Sequence, residues 1–253
     1  MTYTRYASLQ NAVVFITGGA SGIGREIVEA FASQEAKIGI VDIDERNGQA
    51  VEDELTGRGC VAKFAACDLR DIEALEAGFS MLAATLGPAT VLVNNAARDD
   101  RHVWDEVTEA FYDERIATNL RHMFFATKAV APAMIEAGGG SIINMGSNSW
   151  WEAAGGFPVY TTSKAAIHGM TRSFARDLGP HRIRVNTVVP GWIMTKRQKE
   201  LWATPESLAK HLDRQCLPDL IDPHYVARMV LFLASDDAAL CTANNYMVDG
   251  GSI

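Results

Sequence analysis

Residues 12–24 read AVVFITGGASGIG: an apolar run, Ala12–Thr17, passes directly into the turn Thr17-Gly18-Gly19-Ala20-Ser21-Gly22-Ile23-Gly24. A short apolar run of this kind predicts a strand buried on both faces. Gly22–Gln34 continues as a predicted helix. Glycines permit a tight turn and a close backbone approach. A helix starting inside such a turn offers free N–H groups and a positive dipole end to an anion. A plain strand–helix turn is the simpler reading. Its place at the first turn of a βαβ unit points instead to a dinucleotide pyrophosphate. Gly18, Ser21, Gly22, Ile23 and Gly24 are therefore expected at the cofactor. Asp42 ends the next apolar run, 18 residues past Gly24. A carboxylate there accepts hydrogen bonds from a ribose diol and repels a 2′-phosphate. The first basic residue after it is Arg46, so NAD is expected over NADP. The alternative is an exposed acidic strand end.

Working outward, short apolar runs alternate with amphipathic ones. Strands are predicted at Lys37–Asp42, Val61–Asp68, Thr90–Asn94, Ser141–Met145, Arg184–Val189 and Tyr246–Val248. Helices are predicted at Glu45–Leu55, Ile72–Leu86, Trp104–Ala137 in two pieces, Val159–Leu178 and Pro223–Ala234. Strand–helix alternation with right-handed crossovers predicts an α/β fold: one doubly wound (Rossmann) parallel sheet with helices on both faces. No linker is visible, so residues 1–253 are expected to form a single domain. Gly191–Asp222 breaks the alternation and is expected as an irregular segment over the ligand crevice. Asp68, with Leu69 after it, could receive an adenine amino group or cap the next helix.

Composition excludes several classes. The 253 residues carry 23 Lys and Arg against 31 Asp and Glu, a formal net charge of -8. Such a chain is repelled by nucleic acid and by anionic membranes. The longest uncharged stretch, Ala77–Ala97, is broken by Gly87-Pro88 and Asn94-Asn95, so it does not predict a membrane span. Cys60, Cys67, Cys216 and Cys241 form no CxxC pair and no ligand spacing, so reduced thiols and no metal are expected. The opening residues lack an apolar signal core, which leads to the expectation of a cytoplasmic protein.

Five motifs in order resemble those of the short-chain dehydrogenase/reductases, over essentially the whole chain. TGGASGIG (17–24) is similar to the family's TGxxxGxG, and Asn94-Asn95-Ala96-Ala97 to its NNAG, with Ala97 in place of glycine. Tyr160-Thr161-Thr162-Ser163-Lys164 fits YxxxK, and Ser147 lies 13 residues before that tyrosine. Asn119 stands where the family has its catalytic asparagine, and Pro190-Gly191 with Thr195 resembles the segment that closes on the cofactor. The resemblance implies Asn95, Ala96, Tyr160, Lys164, Pro190, Gly191, Ile193 and Thr195 at the cofactor. It also implies a homotetramer or dimer through the helices carrying Asn119 and Tyr160. Asp99-Asp100-Arg101-His102, Arg121-His122-Met123 and Thr195-Lys196-Arg197-Gln198 are similar to one subgroup, the bacterial NAD(P)-dependent aldose 1-dehydrogenases.

The chemistry can be argued from the side chains. Tyr160 and Lys164, four residues apart on a predicted helix, share a face. Alone they could be an ordinary surface pair. A free tyrosine has a pKa of about 10, and an ammonium within about 5 Å would lower it. Tyr160 could then act as general base toward a substrate hydroxyl while Ser147 holds the same oxygen. The resemblance gives Asn119 a water that passes protons from Lys164. A sugar pocket needs polar groups and an aromatic plate. Candidates are Arg98, Asp99 and His102; Ser147, Asn148, Trp150, Trp151 and Glu152; and Trp192 and Gln198. The tryptophans could instead be packing, His102 structural, and residues 99–101 a solvated turn. Ala165, Ala166 and Gly169 would let a partner helix approach, and Tyr246–Val248 would be an edge strand. The resemblance to the aldose 1-dehydrogenases implies oxidation of a cyclic aldose at C1. Alternatives are another secondary alcohol or polyol, or a non-enzymatic dinucleotide sensor.

Overall fold

A computed structural model describes residues 2–253. Seven parallel strands form one sheet in the order β3-β2-β1-β4-β5-β6-β7. They are β1 (Val13–Thr17), β2 (Lys37–Asp42), β3 (Ala62–Ala66), β4 (Val91–Asn94), β5 (Gly140–Met145), β6 (Ile183–Pro190) and β7 (Asn245–Val248). The order reverses between β1 and β4, and a crevice opens beyond the strand ends at such a switch point.

Strand β1 shows why helices are needed on both faces. Val14 and Ile16 pack toward α1 (Gly22–Ser33), α2 (Glu45–Gly57) and α9 (Pro223–Ala234). Val13 and Phe15 pack toward α3 (Ile72–Leu86), α5 (His122–Glu136) and α6 (Pro158–Leu178). Successive side chains of a strand alternate faces, so the all-apolar run fills two cores at once.

The expectation of a helical stretch over 104–137 resolves further. Trp104–Glu106 is a single 3-10 turn, and α4 (Glu109–Ile116) follows, capped by the Thr108 hydroxyl. A π-turn at Ala117–Arg121 then joins α4 to α5. The third strand is shorter than expected, and Asp71, not Asp68, caps α3, accepting from the N–H groups of Glu73 and Ala74. The segment after β6 is not irregular. It holds α7 (Lys196–Leu201) and α8 (Pro205–Leu212), started by the hydroxyls of Thr195 and Thr204. Caps stabilise such short helices more than their intrinsic propensity does. Among the described residues, no helix is long and apolar enough to cross a membrane, and no group of His, Cys, Asp or Glu is placed to hold a metal.

Candidate active site

One cleft of about 990 Å³ runs along the C-terminal ends of the strands. Every residue expected at the cofactor lines it, from Gly18 to Thr195, as do Arg98, Ser147, Asn148 and Trp192.

The floor of the cleft is a main-chain construction. Gly18 and Gly22 have φ of 67° and 57°, in the left-handed region where only glycine is unstrained. A Cβ on Gly24 would lie 1.9 Å from the Gly18 carbonyl oxygen, and one on Gly18 2.8 Å from the Ala96 Cα. The Asn95 side chain donates to the carbonyls of Thr17 and Gly18, both at 3.0 Å. The Thr17 hydroxyl accepts from the N–H groups of Asn95 and Ala96. The turns after β1 and β4 are thus stitched together. Asp42 accepts from the N–H groups of Ala20 and Asp44, both at 3.0 Å, which fixes its carboxylate at the end of β2. Asp68 is committed differently: its carboxylate takes a forked pair of bonds from Arg70, which also reaches Glu114. The Arg70 guanidinium holds Asp68 below the usual carboxylate range.

Ser147 follows β5, and Tyr160 and Lys164 lie on the first turns of α6, started by Pro158. The Lys164 ammonium donates to the Met145 carbonyl at 2.7 Å and lies 5.5 Å from the centre of the Tyr160 ring. The expectation that lysine lowers the tyrosine pKa needs correction for the protein groups alone. Burial dominates, raising Tyr160 and lowering Lys164 to about 7. The Asp99 carboxylate also raises Tyr160, while a hydrogen bond with Ser147 and the charge of Arg101 oppose it. Asp99 acts on Lys164 in the opposite sense to burial, favouring the cation.

Asn119 sits in the π-turn, fully buried and outside the cleft lining. Its Oδ1 accepts from the Arg98 N–H at 2.7 Å, and its Nδ2 has no partner. A π-turn displaces backbone hydrogen bonds by one residue and is frequent at functional sites.

Three residues expected at the substrate, His102, Trp150 and Trp151, stand elsewhere. His102 has both ring nitrogens occupied, Nδ1 by the Asp100 carbonyl at 3.0 Å and Nε2 by the Val159 N–H at 3.3 Å. It braces the start of α6 rather than facing the cleft. Trp151 stacks on Trp150 at 3.8 Å and meets His168 edge-on, also away from the cleft. Conversely, Asp99 and Asp100 are half-buried and paired rather than part of a solvated turn, while Arg101 is exposed. The Arg101 guanidinium lies 3.7 Å over Phe157, whose ring stacks on Tyr160 at 5.3 Å. Asp100 pairs with Arg98, Arg115 and Arg197. Phe157 and His211 carried no motif in the sequence. Only the approach of α8 and the turn before α6 to the strand ends brings them to the cleft.

A twisted parallel sheet with a glycine turn at its switch point, and a serine, tyrosine and lysine gathered beyond β5, define a dinucleotide-dependent oxidoreductase. The chain belongs to the short-chain dehydrogenase/reductase family. The matching family model, described as enoyl-(acyl carrier protein) reductase, covers residues 18–252. D-xylose 1-dehydrogenase of Caulobacter vibrioides is 49% identical over 251 residues, 99% of each chain. A probable galactose dehydrogenase of Rhizobium meliloti is 44% identical, over 98% of this chain and 97% of that one. The solved structure of a 7α-hydroxysteroid dehydrogenase, complexed with NADH and 7-oxo glycochenodeoxycholic acid, superposes with a TM-score of 0.93 at 31% identity. It covers 100% of this chain and 98% of that one.

Proposed function

We propose that this protein oxidises a cyclic aldose at C1 to the aldonolactone. The observation that carries the reading is the Ser147–Tyr160–Lys164 group opening onto a cleft end lined by charged and hydrogen-bonding side chains. Nearly full-length likeness to two sugar dehydrogenases supports it. A steroid-sized apolar substrate would cover the charged groups of Asp99, Arg98 and Glu152, which line this end of the cleft, without offering them hydrogen bonds in place of water.

The glycine cradle fits a nicotinamide dinucleotide, because the close approaches at Gly18 and Gly24 leave main-chain N–H groups bare of side chains. Gly18, Ser21, Gly22, Ile23 and Gly24 would hold the pyrophosphate, and Asp42 the adenosine ribose. Cys67, Asp68 and Leu69 would flank the adenine, and Asn95, Ala96, Tyr160, Lys164, Pro190, Gly191, Ile193 and Thr195 the nicotinamide half. We favour NAD over NADP: the Asp42 carboxylate, held at the end of β2 by the N–H groups of Ala20 and Asp44, would accept from a ribose diol and repel a 2′-phosphate, and Arg46 is not among the cleft residues.

When bound, the oxidised dinucleotide supplies the acceptor for hydride from C1 and a positive charge near the phenol. Tyr160 Oη takes the proton of the C1 hydroxyl, acting as general base. Ser147 Oγ donates to the same oxygen and fixes which hydroxyl faces Tyr160. Lys164, held by the Met145 carbonyl, stabilises the phenolate when charged and orients the nicotinamide ribose. Asn119 keeps the loop after β4 in register through Arg98, and we assign to it the water that would pass protons from Lys164. The segment 191–222 covers the substrate, with Trp192 as the aromatic plate.

We also propose self-association as a homotetramer in the cytoplasm. Ala166 and Gly169 stay exposed on α6, Phe124 on α5, and β7 leaves a sheet edge. The four free thiols agree with a reducing compartment. The test of activity is the initial rate of NAD and NADP reduction with D-xylose, L-arabinose, D-galactose, L-fucose and D-glucose. Galactitol and a simple secondary alcohol serve as controls. Turnover of an aldose with NAD is the expected result. Turnover of only the controls would overturn the sugar assignment while leaving the catalytic group in place.

A further inference from the structure

We infer that Asp99 and Gln198 together read the hydroxyl next to the reacting carbon, making Asp99 the specificity-determining residue for a polyhydroxylated substrate. The inference rests on the aldose reading above and deepens it. Asp99 lies in the loop after β4 and Gln198 in α7, nearly a hundred residues apart, and both line the cleft. The Gln198 amide nitrogen donates to Asp99 Oδ2 at 2.8 Å. The Gln198 amide oxygen in turn accepts from the Trp192 indole N–H at 2.8 Å. This fixes the amide orientation: the oxygen faces Trp192 and the NH2 faces Asp99.

The pair is left with unused capacity. A carboxylate has about four lone-pair sites and an amide NH2 two donors. Gln198 spends one donor on Asp99. Asp99 Oδ1 has only Arg197, 3.7 Å away, beyond hydrogen-bond distance. A free acceptor and a free donor therefore lie side by side on the cleft wall. A hydroxyl both donates and accepts, so one sugar hydroxyl satisfies both. A substrate without it would leave Asp99 Oδ1 without a hydrogen-bond donor, and sites built this way discriminate strongly.

Position points to the neighbouring carbon. Asp99 and Gln198 line the same cleft as Ser147, Tyr160 and Lys164, and the loop that carries Asp99 also sends Arg101 over the Phe157 ring stacked on Tyr160. With the C1 oxygen of an aldose at Tyr160, the next hydroxyl along the ring is the one we assign to this wall. Arg197 anchors to Asp100 at 2.9 Å, so α7 is tied to the same loop independently of Asp99.

The test compares the fastest aldose with its 2-deoxy analogue. The readout is the ratio of their kcat/KM values in the unaltered protein and in Asp99→Asn. The asparagine keeps the shape and an acceptor oxygen for Gln198. Because the ratio is read within one preparation, a reduced folded fraction cancels. The parent-to-deoxy preference is expected to fall by about thirtyfold, the effect of one hydrogen bond to a charged group. Gln198→Leu is expected to lower it in the same direction. A preference unchanged in Asp99→Asn would overturn the inference, even if both rates fall together, because that pattern belongs to a structural role. If the unaltered protein turns over no aldose at all, the aldose reading itself fails, and this inference with it.

Discussion

The two ends of the cleft are built differently. At the cofactor end, geometry is set by the main chain. Gly18 and Gly24 allow approaches no side chain would fit, and Asn95 and Thr17 lock adjacent turns through backbone groups. At the substrate end, geometry is set by side chains from distant segments. Asp99 meets Gln198, Gln198 meets Trp192, and Arg101 covers Phe157 on Tyr160. A main-chain site restricts residue type at fixed spacing. A side-chain site restricts only which groups meet after folding, and many sequences can achieve that.

This difference can be broken or sharpened by substitution. The largest effect is expected where the ends meet. Tyr160→Phe should lower kcat by about a thousandfold, within the range for loss of a general base. Dinucleotide affinity, measured by fluorescence titration, should fall by no more than about threefold, because phenylalanine keeps the ring and loses only the hydroxyl. A sensor protein would lose neither. At the main-chain end, Gly24→Ala forces a methyl group against the Gly18 carbonyl. Its dinucleotide Kd should rise by about a hundredfold, the upper range for overpacking a fixed site. Unchanged binding would show that the turn is softer than its contacts suggest.

At the side-chain end, the Asp99→Asn pH profile is informative. Oxidation needs the Tyr160 phenolate, so kcat/KM should climb with pH through the tyrosine titration. Burial is the main cause of the raised tyrosine and Asp99 the next. Removing that charge lowers the Tyr160 pKa, with Ser147 and Arg101 still acting, so the climbing limb should move to lower pH. Loss of Asp99 also removes the charge that favours the Lys164 cation, which moves the lysine in the same direction. A limb shifted upward would contradict this electrostatic account. The smallest effect is expected for Trp151→Phe. Trp151 stacks on Trp150 outside the cleft, so KM for the sugar should not move, whereas Trp192→Phe breaks the bond to Gln198 and should raise it.

The same contrast explains what could be read in the sequence. The glycine turn, Asp42, and the spacing of Ser147, Tyr160 and Lys164 were legible because backbone geometry and helical periodicity limit which residues can stand there. The order of elements followed from apolar runs filling two cores. The π-turn at Asn119 was not legible, since it needs no special residue. Nor was the role of His102, whose ring is used up by the Asp100 carbonyl and the Val159 N–H. The helices α7 and α8 were hidden by their length, although Thr204-Pro205-Glu206-Ser207 carries a capping box that could have announced the second. The lysine's expected effect on Tyr160 followed from charge alone. Burial, which only the folded chain reveals, sets the direction instead, raising the tyrosine.

The central claim is that the reacting carbon is C1 of a sugar hemiacetal. It is tested most directly by comparing NAD reduction with an aldose, its methyl glycoside and the corresponding alditol. The account predicts turnover of the free aldose with release of the lactone or its acid. It predicts none with the glycoside, whose C1 oxygen carries no proton for Tyr160. Equal rates with the glycoside or the alditol would place the chemistry at another carbon and contradict the account.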